Sequence, residues 1–257
     1  MKRLLSVALA ALLAAMMLVG CGGITDSDNG DDGKVNVVAT IFAPYDFTRA
    51  IAGEKAEISM LLLPGAETHS FEPTPQDILK LQNCDIFIYV GGESDDWVDG
   101  ILASMDTSKM KIVKLMDCVE VVEEEVVEGM EDEKADEASA TGQSAEADDS
   151  EEEAEYDEHV WTSPRNAKLI VSRISDALCE VDPANAETYK ANTTAYLAQL
   201  DELDNRFQTI VDAGERKTII FGDRFPFRYF ADAYGLDYYA AFPGCSTETE
   251  ASPATVK

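Results

Sequence analysis

The sequence predicts an α/β fold: two lobes with parallel sheets joined by a long rigid helix, the second lobe truncated in this chain. Three observations carry that expectation. Short β-branched runs alternate with helical segments from Val35 to about Asp117, the spacing of βα units on a parallel sheet. One helical pattern then runs unbroken from Ala186 to Gly214; at ~1.5 Å per residue it spans about 40 Å, longer than most small domains are wide, and so reads as a spine between lobes. Beyond it, a strand, a helix and a strand open a second α/β unit too small to bury a stable core, so the sequence reads as a piece lacking most of its second lobe.

The elements follow in order. Lys2 and Arg3 form a basic region before LLSVALAALLAAMMLVG, the apolar part of an export signal, too short and too rich in small residues for a membrane span. It ends Leu18-Val19-Gly20-Cys21, which resembles a bacterial lipobox, so cleavage before Cys21 and lipidation of its thiol are expected. Each buried acyl CH₂ contributes ~0.8 kcal/mol, and two or three chains would anchor the protein firmly. GGITDSDNGDDG is then a flexible polar tether.

Order is expected to begin with VNVVATI, a first strand. FAPYDFTRAIAG is a turn and a short helix ending at Gly53, and AEISMLLLPG is a second strand feeding the loop that holds His69. TPQDILKLQNC is a helix with Thr74 as N-cap and Pro75 at its first position. DIFIYVGG is a third strand, followed by a helix through Trp97 and Ile101, and KIVKLMD is a fourth. Ligands of such sheets bind beyond the carboxyl ends of the strands, and His69 follows such an end.

From Val119 to Glu158 the sequence turns acidic and low in complexity. Such a segment cannot bury enough apolar surface to offset chain entropy, so it is read as a mobile insert whose VEVVEEEVVEG portion pairs at most briefly as strand. After His159, Thr162 or Ser163 caps a helix with Pro164 near its first position, and DPAN breaks that helix before the long one. KTIIFGD, FPFRYFADAYG and LDYYAAF are strand, helix and strand, and ASPATVK opens like a helix cap. The expected organisation is therefore a signal peptide (1–20), a lipidated flexible tether (21–34) and an N-terminal α/β lobe (35–164) carrying an acidic disordered insert (119–158). A helical region with the linking helix (165–214) and an incomplete C-terminal α/β lobe (215–257) complete it.

A formal net charge of −30 makes nucleic acid and anionic membrane surfaces unsuitable partners, although much of that charge sits in the insert. Processing at Cys21 would leave Cys84, Cys118, Cys179 and Cys245, with no CxxC spacing and hence no support for a zinc ribbon or a redox motif. Cys84 and Cys118 flank two strands of one lobe and could pair, in a compartment that permits a disulfide; buried free thiols are the favoured reading.

The chain has only two histidines, and both stand in loops beside carboxylates: His69 with Glu67 and Glu72, His159 with Asp157 and Glu158. Imidazole with carboxylate suits zinc or manganese; a structural role or a general base is the other reading. No HExxH, GxSxG or phosphate-loop pattern is present. Trp97, Phe225, Phe227, Tyr229 and Phe230 read as core residues rather than an aromatic cage, and Arg224 and Arg228 as salt-bridge partners rather than an anion site.

PGAETHSFEPTPQDI, CDIFIYVGGESDDWVD, DEHVWTSPRNA, the long helix and IIFGDRFPFRYFADAYGLDYYAAFPGCSTETEAS together resemble the zinc/manganese solute-binding lipoproteins of bacterial ABC transporters, a metal-binding, adhesin-like family. The resemblance covers the chain from about Val35 to its end, without the insert. It implies two α/β lobes on a rigid helix with one metal ion in the cleft, and His69 and His159 as ligands from the first lobe. A third ligand follows the first strand of the second lobe, where this chain reads Gly222-Asp223-Arg224, so Asp223 takes that place. The fourth, a carboxylate, is expected beyond residue 257, with Glu248 and Glu250 as alternatives. The implied cargo is Zn²⁺, with Mn²⁺ and Fe²⁺ as alternatives. Where many zinc-binding relatives carry a His-rich loop, this chain has the His-free acidic insert: a collector of cations, or a solvated linker without a role.

The resulting expectation is a binding protein and not an enzyme: an extracytoplasmic, lipid-anchored monomer that captures a divalent metal and delivers it to an ABC transporter membrane permease. The rival readings are a metal-dependent envelope hydrolase using Glu67 or Glu158 as base, and a surface adhesin with a structural metal.

Overall fold

The computed structural model describes residues 33–63, 65–66, 71–127, 130 and 155–245. Its first layer is a four-stranded sheet made of β1 (Val35–Ala39), β2 (Ala56–Met60), β3 (Ile86–Tyr89) and β4 (Lys111–Lys114). The spatial order is β2-β1-β3-β4, and every neighbouring pair is parallel. Side chains alternate across a strand, so one run of apolar residues supplies two cores. Val35, Val37, Ile86, Ile88 and Val113 face one core. Val38, Phe87 and Tyr89 face the other.

Helices cover both faces. On the first lie α1 (Phe42–Ala52) and α4 (Pro164–Val181); on the second, α2 (Pro75–Gln82) and α3 (Asp96–Ala103). In α1 the buried residues are Pro44, Phe47, Thr48, Ile51 and Ala52, the three-and-four spacing of a single apolar stripe. In α4, Ala167, Ile170, Val171, Ile174 and Leu178 repeat it. Helix α2 starts with the expected cap: the Asp77 N–H donates to Thr74 Oγ1, and the Asp77 carboxylate accepts from the Thr74 N–H at 3.1 Å. Of the two candidate caps before Pro164, Ser163 is the one used.

The long helix is present as α5 (Ala186–Ala213), 28 residues and so about 42 Å. Only Tyr189, Thr193 and Leu200 on it are buried, because it lies across the first core and then projects past it. Beyond it, β5 (Thr218–Arg224), α6 (Arg228–Tyr234) and β6 (Asp237–Phe242) form a two-stranded parallel sheet with its crossover helix, which Gly235 stops at φ +64°. Phe225 stacks on Tyr238 with ring centroids 4.0 Å apart, in a small core with Ala231 and Ala240. Arg165 of α4 ties this unit to the spine. Its guanidinium donates to Asp204 and Gln208 of α5 and to the Ala233 carbonyl, and lies 4.9 Å from the centre of the Tyr234 ring.

One expectation is adjusted. The acidic insert is narrower than 119–158, because both of its ends are built into the fold. Val119, Val121 and Val122 pack on the first core, and Glu123 bridges Tyr156 in antiparallel fashion. The Glu124 N–H donates to the Glu155 carbonyl at 2.8 Å, and the Asp157 N–H to the Val122 carbonyl at 3.0 Å. Of the two readings of Cys84 and Cys118, free thiols are what the structure shows: Cys84, Cys118, Cys179 and Cys245 are all unpaired, and burial pushes the Cys84 thiol up to about 12.

Candidate metal centre

The chain leaves β4, turns at Met116–Cys118, runs through the paired ends of the insert and reaches His159 just before α4. This brings the histidine to the carboxyl side of the parallel sheet, where the dipoles and loops of such folds assemble sites. Asp157 fixes the turn. One of its oxygens, Oδ1, accepts from the His159 backbone N–H at 2.8 Å and meets the ring Nδ1 at 3.2 Å. A carboxylate only accepts, so Nδ1 carries the proton and Nε2 holds the lone pair that can coordinate a metal. Thr162 closes the other side by donating its hydroxyl to the His159 carbonyl at 2.8 Å, and Trp161 packs its ring 5.6 Å from the imidazole. The His159 side chain keeps 12% of its surface exposed, and that of Asp157 keeps 3%.

Glu158 is buried as well. Its Oε1 accepts from the Ser94 N–H at 2.9 Å, against the Gly91-Gly92 turn that follows β3. Gly92 has φ +79°, and a Cβ there would stand 2.4 Å from Oε1 of Glu158, so the close approach requires glycine. Beside it, Asp95 accepts from the Val90 and Gly91 N–H groups at 2.8 and 2.9 Å. Burial nevertheless pushes the Asp95 carboxyl up to about 6, with the N–H donors pulling against it. A polar cleft of about 250 Å³ opens here, lined by Asp95, Asp99, Lys114, Glu124, Glu158 and Cys245 among others. Glu124 accepts from the Cys245 N–H at 2.8 Å, and burial holds its carboxyl above the ordinary range. Burial, with Glu124 next, also pushes the Cys245 thiol well up.

The sequence-expected residues fall as follows. His159 stands in the turn before α4, where Asp157 bonds to it and Glu158 to the neighbouring Ser94 loop. Asp223 lies exposed in the irregular stretch of β5 between Phe221 and Arg224, where its Oδ1 accepts from the Arg224 N–H at 2.8 Å. Among the described residues, no hydrogen bond or ion pair joins Asp223 to the 157–159 turn, and no group of three His, Cys, Asp or Glu side chains is arranged to hold a metal. His69 and Cys21, like Glu67, Glu248 and Glu250, lie outside the described residues. Phe71, two positions after His69 in the sequence, lines a cavity of about 30 Å³ together with His159, Glu158 and Trp161.

The sequence did not single out Gly92 or Gly244, and it read Tyr229 only as core. The Tyr229 hydroxyl donates to the Asp157 carbonyl at 2.7 Å. Gly244, just after β6, packs directly on Asp157 and His159. The two glycines were visible as punctuation after apolar strands; a helical tyrosine carries no local sign of such a contact.

A sequence model of the family described as zinc-uptake complex component A, periplasmic, matches residues 37–257. The zinc-binding lipoprotein AdcA of Streptococcus pneumoniae R6 is 32% identical over 248 residues, which is 96% of this chain and 45% of that protein. The high-affinity zinc uptake system protein ZnuA of Bacillus subtilis is 30% identical over 243 residues, 94% of this chain and 72% of that one. The crystal structure of the metal-dependent lipoprotein YcdH from Bacillus subtilis superposes with a TM-score of 0.68 at 29% identity, over 87% of this chain and 72% of that one. Zn(II)-bound AdcA from Streptococcus pneumoniae gives 0.67 at 28%, over 87% and 42%. The chain thus spans under half the length of the AdcA relatives it matches. These relatives are named for binding and uptake, none for turnover.

Proposed function

The chain belongs to the zinc-uptake complex component A family, and on that footing we propose that it captures a divalent metal outside the cytoplasm and hands it to the permease of an ABC transporter. Zinc is the proposed cargo, with manganese and iron(II) as the other ions such a donor set accepts. The observation that supports this most is the Asp157–His159 pair, which presents a largely buried imidazole with its coordinating lone pair on Nε2. His69, His159 and Asp223 are the proposed ligands, and a carboxylate such as Glu248 or Glu250 completes the set. Cys21 is the proposed lipid anchor to the membrane. The organisation into signal peptide, tether, first lobe with insert, helical region and second lobe belongs to the same proposal.

Capture replaces the ion's water shell with imidazole and carboxylate groups; no bond in a substrate is broken. Binding requires unprotonated imidazole, so affinity falls on acidification. Release follows when docking to the transporter favours a lobe arrangement with a disturbed ligand set. The test is zinc titration of the full chain by calorimetry against His69→Ala, His159→Ala and Asp223→Ala. A single tight site lost in either histidine variant supports the reading; unchanged affinity in both histidine variants sinks it.

A further inference from the structure

The paired ends of the acidic insert lead straight into His159, and they are held from the far side by the β5–α6–β6 unit. Tyr229 of α6 is buried, its ring within the core under the four-stranded sheet. Its hydroxyl donates to the Asp157 carbonyl at 2.7 Å and accepts from the Val122 N–H at 3.3 Å, so one oxygen grips both arms of the pair. The next residue back, Arg228, forms an ion pair with Glu125 on the same arm. From the end of β6, the Cys245 N–H donates to Glu124 at 2.8 Å. The arm that Tyr229 grips at Asp157 is the one whose side chain sets the His159 ring two residues on.

We propose that Tyr229 is a positioning residue for His159: its hydroxyl, delivered from the second α/β unit, fixes Asp157 and through it the tautomer and direction of the imidazole. The proposal rests on the metal-binding reading above, since it assigns His159 as a ligand. It also makes the histidine's geometry depend on where α6 stands relative to the first sheet. Any relative movement of the two units that draws Tyr229 from Asp157 releases the ring without touching the metal.

Only two histidines are present in the chain, so ¹⁵N spectra of the ring nitrogens in the metal-free full chain are readable, and His69→Ala assigns them. Tyr229→Phe keeps the ring in the core and deletes the hydroxyl. Tyr238→Phe is the control, because that hydroxyl meets Arg228 and not the insert arms. Both variants are expected to lower the unfolding temperature. Only Tyr229→Phe is expected to move the His159 ring from a single Nδ1–H tautomer towards a mixture, and to weaken zinc binding about tenfold, the equivalent of ~1.4 kcal/mol. If the unsubstituted chain binds zinc and Tyr229→Phe shows the same ring signals and affinity with only a lower unfolding temperature, the residue is merely structural and the proposal alone falls. If the unsubstituted chain takes up no zinc, the metal-binding reading fails and the proposal falls with it.

Discussion

A Cβ placed on Gly244 would stand 3.2 Å from Nδ1 of His159. It would also lie 3.2 Å from Oδ2 of Asp157 and 2.9 Å from the Phe225 carbonyl, with backbone on one side and a hydrogen-bonded pair on the other. None of these neighbours is a flexible chain end. Gly244→Ala is therefore expected to cost ~1–3 kcal/mol as an overpacked site, read as a lower urea midpoint at unchanged slope. Zinc affinity should fall with it, because the group displaced is the imidazole.

Asp157→Asn separates the geometry of the His159 turn from its charge. One oxygen, Oδ1, serves both the backbone N–H and the ring, so an amide that keeps its oxygen there holds both contacts, but as a neutral and weaker acceptor for the Nδ1–H. Zinc binding is expected to weaken by roughly 10- to 100-fold, the range for loss of a partner behind a metal-ligating histidine. Calorimetric titration gives the affinity, and far-ultraviolet circular dichroism should show the fold unchanged.

Asp95 gives a pH dependence of opposite sign to that of most carboxylates. Its folded value, about 6, lies above the ordinary 3.8, so the folded chain holds this proton more tightly than the unfolded chain does. The stability it contributes is fully present below about pH 3.8 and is lost as the pH rises through about 6. Asp95→Asn removes that loss. The variant should gain stability relative to the parent between pH 4 and 7, on the order of 3 kcal/mol at most, while Glu158 and Lys114 nearby stay constant in the comparison. Urea unfolding of both proteins across this window checks the sign.

Thr74→Ala deletes one half of the capping box at α2 and leaves the Asp77 N–H without its side-chain acceptor. A loss of ~1 kcal/mol is expected in equilibrium unfolding, with zinc affinity little changed.

Much of the fold was legible in the sequence because its signals are local. VNVVA, AEISM, IFIY and KIVK became strands since β-branched and aromatic runs of that length bury well in a parallel sheet. Thr74-Pro75 and Ser163-Pro164 started helices as written, and Gly214 follows the end of the long one. His159 was legible as a lone imidazole in a Pro-bounded loop. The insert ends were legible only as a brief strand in VEVVEEEVVEG; the partner was not, because the pairing of Glu123 with Tyr156 joins residues far apart in an acidic stretch. Tyr229 was read as core, and its ring is core; the hydroxyl that grips the insert arms has no periodicity to announce it. Asp223 was placed by resemblance, and the irregular end of β5 leaves its carboxylate on local backbone.

Strands β5 and β6 pair only with each other among the described residues, and Ile220 on β5 is 82% exposed with Tyr239 on β6 at 48%. Parallel strands are normally covered on both faces, and a bare strand flank is a template for pairing with a neighbour. The mutual repulsion of chains carrying −30 each opposes such pairing. That repulsion is screened within ~10 Å at ~0.1 M salt and ~3 Å at ~1 M. Purified material is therefore expected to stay monodisperse in dilute buffer and to clump as sodium chloride is raised, the reverse of the usual remedy for a sticky sample.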